Sequence, residues 1–210
     1  METVQLSSPL DRARVARHGK YLEYFTVVWN LLECVIGVAA GLIAGSVSLV
    51  GFGIDSAVEV TSGASLLWRM NADDDPVRRE RVEYVTLRIV GMCFLVLAGY
   101  VAYSAVGDLL HRQVPQSSLL GIALAIVSLV VMPLLARAKR HVALQLRSSA
   151  MAADAQQTQF CFYLSAILLG GLSMNALFGL WWADPAAALV MVPIITREGV
   201  QSLRGEKCCD

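Results

Sequence analysis

At 210 residues, with 56% hydrophobic and only 16% charged side chains, the chain is too apolar for an ordinary soluble domain and too short for several domains. Its 17 basic and 17 acidic residues cancel, so total charge gives no argument for a nucleic-acid partner. Five cysteines, mostly inside apolar runs, argue against a disulfide-stapled secreted fold and leave one all-α, polytopic membrane domain as the expectation.

Residues 1–21 carry basic side chains but no apolar core followed by a small-residue cleavage site, and are read as a retained cytoplasmic arm. Crossing the hydrocarbon takes about 20 residues of helix. Six runs of that order are predicted, at residues 22–44, 48–69, 84–110, 118–136, 148–173 and 182–203. They make a six-helix transmembrane domain over 22–203, followed by a short cytoplasmic tail over 204–210. In the first run Gly37, Gly41 and Gly45 recur every four residues, a smooth face for close helix packing. The second and third are joined by NADDDPVRRERVEY, where Pro76 stops helix continuation, and Asp73, Asp74 and Asp75 read as a solvated loop rather than a metal site. The third and fourth are strongly apolar; the fourth contains Pro133, and ARAKRHVALQL connects it to the fifth. The fifth opens on SSAMAADAQQTQ, which hydropathy alone would reject. Pro193 lies inside the sixth.

Basic residues are retained on the cytoplasmic side of a membrane. Arg12, Arg14, Arg17 and Lys20 precede the first run, Arg69, Arg78, Arg79, Arg81 and Arg88 flank the second connection, and Arg137, Lys139, Arg140 and Arg147 flank the fourth. Arg197, Arg204 and Lys207 close the chain, leaving Arg112 as the one basic residue on the opposite side. Both termini are therefore expected in the cytoplasm. Removing the fifth span would break this asymmetry, which supports six.

A carboxylate at membrane depth costs at least a few kcal/mol and normally faces the bundle interior with a partner. Glu33 lies halfway along the first run, Asp55 and Glu59 in the second and Asp154 near the start of the fifth. Asp55 and Glu59 are one turn apart on one helix face, so their oxygens can converge on a cation. The competing reading is a protonated, hydrogen-bonded pair. Asp154, Gln157 and Cys161 share one stripe of the fifth run, facing a cavity while apolar neighbours cover the rest. Carboxylate, amide carbonyl and thiolate all suit a divalent metal, and the thiolate tilts preference toward zinc. Glu33, with Asn30 one turn before it, either joins the site or serves structure; Cys161 is either a ligand or a small apolar filler. Cys34 and Cys93 read as packing residues, and His18, His111 and His141 as surface groups. Cys208 and Cys209 could bind metal, carry a lipid or do neither.

The stretch GLIAGSVSLVGFGIDSAVEVTSG resembles the second-helix region of the cation diffusion facilitators, where an acidic residue follows Gly-Ser-x-Ser-Leu and a second comes four later. SSAMAADAQQTQFCFYLSAILLGGL is similar to their fifth helix, and WWADPAAALVMV to their sixth, with Asp184 and Pro185 at its start. The resemblance implies a homodimeric exporter of divalent metals, commonly zinc, exchanging the ion for protons. It places the family's second-helix ligands on Asp55 and Glu59, and its fifth-helix His and Asp on Gln157 and Cys161. Neutral Gln157 cannot titrate, which leaves Asp154, Glu33 or the Cys161 thiol as candidates for handling the proton. The family's cytoplasmic metal-sensing domain and histidine-rich loop have no counterpart in the sequence, so the expectation is a compact branch that dimerises through its membrane helices.

The leading expectation is thus a secondary transporter in the cell (inner) membrane, with lipid and a divalent metal as partners and Asp55, Glu59, Gln157 and Cys161 as ligands. Asp154 and Glu33 would support them. The metal is cargo, and no prosthetic group is expected. A non-transporting metal sensor or subunit is the alternative, and a proton or monovalent-cation pathway a third. No nucleophile-and-base set or phosphate-binding loop points to an enzyme.

Overall fold

Hydrocarbon offers no partner to a free backbone amide, so an apolar chain crosses it as helix. The computed structural model describes residues 9–71, 76–112, 114–116, 118–146 and 148–204. These form α1 (Pro9–Ala44), α2 (Val47–Asn71), α3 (Pro76–His111), α4 (Leu119–Leu146), α5 (Ser149–Phe178) and α6 (Ala183–Arg204), with no strand among the described residues. Asp73, Asp74, Asp75, Cys208 and Cys209 lie outside them.

A helix covers each of the six expected runs, and several helices are longer than the apolar stretch that revealed them. A 36-residue helix such as α1 or α3 is about 54 Å long at 1.5 Å per residue, well beyond the hydrocarbon. Polar ends project into water, where hydropathy no longer marks a boundary. The same effect corrects the expected fourth connection: residues 137–146 are not a loop but the end of α4. α4 and α6 also continue unbroken through Pro133 and Pro193.

The termini of the helices follow from local chemistry. Pro76 begins α3, where its missing N–H costs nothing. Ser46 and Ser118 cap α2 and α4 by accepting hydrogen bonds from the amides of Leu49 (3.2 Å) and Gly121 (3.0 Å). Ser148 does the same for α5, accepting from Met151 at 3.4 Å, and Gly179 ends that helix at φ 64°, its amide donating to the Asn175 carbonyl.

α1 packs on α2, α3 on α6 and α4 on α5, and α2 also touches α3, α5 and α6. Gly37 and Gly41 work as the expected smooth face: a Cβ on Gly41 would stand 2.8 Å from the Val50 amide nitrogen, and one on Gly53 would stand 2.7 Å from that of Val38. Gly45 does not share this role. It sits at φ +66° in the turn to α2, with nothing within 4 Å of where its Cβ would be.

Four helices contain a stretch long and apolar enough to cross a membrane: Ala13–Ala44, Gly91–His111, Leu119–Leu146 and Asp154–Phe178. α5 is therefore less doubtful than its polar opening suggested, because from Asp154 onward it is apolar. α2 and α6 fall short instead. α2 is lined by four other helices and needs no fully apolar surface. Leu42, Ile43, Leu119, Leu134 and Leu177 point outward, while Leu49, Phe52, Val101, Met132 and Leu168 fill the interior.

Three turns are tied at one end of the bundle. The Gln116 amide donates to the Ala44 carbonyl at 2.7 Å, and Asn175 Nδ2 donates to the Pro115 carbonyl at 3.0 Å. Asp184, opening α6, accepts from Ser46 Oγ at 2.7 Å and from Ser48 Oγ. The first and last described helices thus leave the bundle together at the other end.

Candidate functional site

α2 carries its two carboxylates inward. Asp55 is 6% exposed and Glu59 2%, and neither Glu59 oxygen has a hydrogen-bond partner among the described residues. Both line a cavity whose remaining polar walls are Gln157 of α5 and Glu198 of α6. Phe94, Phe160, Leu164, Ile194 and Ile195 complete it with apolar surface. Its volume is about 10 Å³, close to that of one water-sized body. Gln157 Nε2 and Glu198 Oε1 are likewise buried without partners. A buried, unpaired carboxylate in such a space attracts a cation, because the surrounding low dielectric screens its field less than water does.

The other expected residues are placed differently. Cys161 is buried among the apolar side chains of the core and does not line this cavity, although it and Thr158 stand near Glu59 without closing a hydrogen bond to it. Glu33 is fully buried and engaged: Trp29 Nε1 donates to its Oε1 at 2.7 Å and Ser56 Oγ to its Oε2 at 3.3 Å. Asn30 is buried beside it in sequence, with neither side-chain polar atom bonded. Asp154 is bound by Lys139 of α4, which also donates to Glu23 Oε2 of α1 at 3.1 Å and to Thr158 Oγ1 at 3.4 Å. Lys139, one of the basic residues flanking the expected fourth connection, is completely buried. Among the described residues, no three His, Cys, Asp or Glu side chains already stand close enough together to hold a metal ion. The structure therefore joins Asp55, Glu59 and Gln157 around one space and sets Cys161, Glu33 and Asp154 in neighbouring interactions.

Glu198, Lys139 and Glu23 did not emerge from sequence. Glu198 follows Arg197 near the end of the last run and reads as a helix-end charge pair; its spacing from Ile194 and Ile195 is the signal that places it on the inner face. His18, His111 and His141 are exposed, as expected. Cys34 is half-buried, and Cys93 faces outward instead of packing.

Six helices around an interior acidic cavity, four of them with a stretch long and apolar enough to cross a membrane, define a polytopic integral membrane protein. A family model described as the cation efflux transmembrane domain matches residues 24–205, and the chain belongs to that family. It is 24% identical over 178 residues to an uncharacterized transporter of Methanocaldococcus jannaschii, covering 82% of this chain and 62% of that one. It is 29% identical over 153 residues to an uncharacterized transporter of Synechocystis, covering 70% and 49%. Transmembrane protein 163 of Xenopus laevis is 22% identical over 204 residues, covering 97% and 72%. The chain thus spans less than two thirds of the length of the two transporters.

Proposed function

We propose that this protein is a secondary transporter that exports a divalent transition-metal cation, zinc foremost, from the cytoplasm in exchange for protons, acting as a homodimer in the cell membrane. The observation that carries the reading is the cavity on which Asp55, Glu59 and Gln157 meet, with Glu59 buried and unpaired. Family membership and two relatives named as transporters support cation movement as the activity. Basic residues gather at the end of the bundle that holds both chain ends, which supports a cytoplasmic placement of that end.

In this reading Asp55 and Glu59 supply charge, and Gln157 supplies a neutral carbonyl oxygen. Cys161 lies one turn beyond Gln157 on the same stripe of α5, near Glu59, while Asp154, one turn before Gln157, is held by Lys139. The test is zinc uptake into sealed vesicles containing the purified protein under an imposed proton gradient. Proton-driven zinc movement that Asp55→Ala abolishes is the expected result; transport that survives this substitution would remove the central claim.

A further inference from the structure

The cavity receives little charge from α5. Gln157 is neutral, and the Cys161 thiol lies outside the lining. The third carboxylate comes from α6. Ile194, Ile195 and Glu198 fall on one face of that helix and line the cavity together. Arg197, the adjacent residue, turns the other way and lines an outer groove with Pro193, Val200 and Arg204. Neighbouring opposite charges thus face different spaces, one inside the bundle and one outside. Glu198 is half-buried as a residue, and its Oε1 is buried and unpartnered among the described residues.

What fixes this rotation is the residue that follows. Gly199 packs directly on α3: a Cβ on Gly91 would stand 2.8 Å from the Gly199 carbonyl oxygen, and one on Gly199 would stand 3.0 Å from Leu95 Cδ2. Contact at that distance leaves α6 no room to turn about its axis there without separating from α3. Glu59, 2% exposed with both oxygens unpaired on the same cavity, is the independent sign that a cation belongs inside.

We infer that Glu198 is a third carboxylate ligand of the transported ion and that it sets ion preference by making the site rich in oxygen donors. The inference rests on the transport reading above. Three carboxylates and an amide carbonyl suit an oxygen-preferring divalent ion such as manganese as well as zinc. Manganese binds a given donor set more weakly than zinc and favours carboxylate and carbonyl oxygens, so losing one carboxylate should show first in its affinity. The three carboxylates line one cavity but do not yet stand close enough to share an ion, so binding must draw Glu198 toward Asp55 and Glu59.

The experiment titrates manganese chloride and zinc chloride separately into the purified full chain by calorimetry and measures uptake of each ion into vesicles. Glu198→Gln is expected to weaken manganese binding by at least about tenfold, and zinc binding less. Glu198→Asp, which keeps the charge on a shorter arm, should recover part of the manganese affinity, and Arg197→Gln on the outer groove should change neither. If Glu198→Gln melts like the parent and binds both ions unchanged while Asp55→Asn binds neither, the inference fails and the transport reading stands. If the parent protein binds and moves neither ion, the transport reading fails and this inference falls with it.

Discussion

Lys139 of α4 donates to Asp154 of α5, fifteen residues further along the chain, and both side chains are buried. Glu23 of α1 approaches the same ammonium at 3.1 Å, so one lysine ties three helices together. Glu23 Oε1 and Asp154 Oδ1 have no other partner. Lys139→Met should therefore leave two buried carboxylates without their counter-charge, at a cost of about 3–5 kcal/mol. The check is thermal unfolding of the purified protein followed by tryptophan fluorescence. A melting temperature equal to the parent's would show that the ion pair does not hold α1 to α4 and α5.

This triad also marks where the sequence stops being readable. The six spans are legible because apolar runs of membrane length alternate with basic connections, and the two acids of α2 stand out as charges without solvent. Lys139 does not, because it lies among Arg137, Arg140 and His141, a string that looks like a wet loop. Its partners are 116 and 15 residues away, and only tertiary packing brings them to it. Glu198 is hidden the same way by Arg197. Helix ends escape the sequence for a related reason: once a helix leaves hydrocarbon, nothing in its hydropathy says where it stops.

The acidic pair gives a more selective test than a simple loss of charge. Asp55→Asn and Glu59→Gln keep side-chain volume and remove one unit of charge each from a cavity of about 10 Å³. Each should abolish metal-dependent flux while the protein still folds and inserts. Glu59→Gln should even raise the melting temperature, since a neutral amide replaces a buried carboxylate with both oxygens unpaired. Flux and melting measured on the same preparations separate these effects; a variant that melts lower and still transports would contradict both expectations.

Gln157 is the neutral corner of the cavity, and its Nε2 is buried without a partner. Gln157→His would put an imidazole nitrogen beside Asp55 and Glu59, a donor better suited to zinc than an amide. Zinc affinity should rise by roughly tenfold, the scale on which single partner groups move metal binding. Manganese should gain little. Competitive titration of the two ions reads the ratio directly, and no gain for either ion would show that residue 157 does not contact it.

At the opposite end of the bundle, Asp184 receives hydrogen bonds from Ser46 and Ser48 and is completely buried. The contact fastens the first turn of α2 to the first turn of α6, two of the helices that wall the cavity. It also explains physically why serines flank Val47 at this turn. Asp184→Ala should cost about 1.5–3 kcal/mol as two charge-assisted hydrogen bonds are lost, and Ser48→Ala less. Unfolding midpoints of the two variants test the order; a larger loss for Ser48→Ala would mean that the serine supports something other than this aspartate.

Two glycines of α3, eight positions apart, make opposite expectations on one helix. At Gly91 a methyl group would stand 2.8 Å from the Gly199 carbonyl oxygen and 2.9 Å from the Leu203 amide nitrogen, both backbone atoms that cannot swing aside. Gly91→Ala must therefore push α6 away from α3, at about 1–3 kcal/mol. Because Glu198 precedes Gly199, the same shift should also disturb metal binding. At Gly99 nothing lies within 4 Å of the added carbon, and the position is exposed. Gly99→Ala should be neutral or stabilise by up to about 1 kcal/mol through helix propensity. Measuring melting and zinc affinity for both variants distinguishes tight packing from a general dislike of change in α3. Equal effects at the two sites would mean that the α3–α6 contact does not position the cavity's third carboxylate.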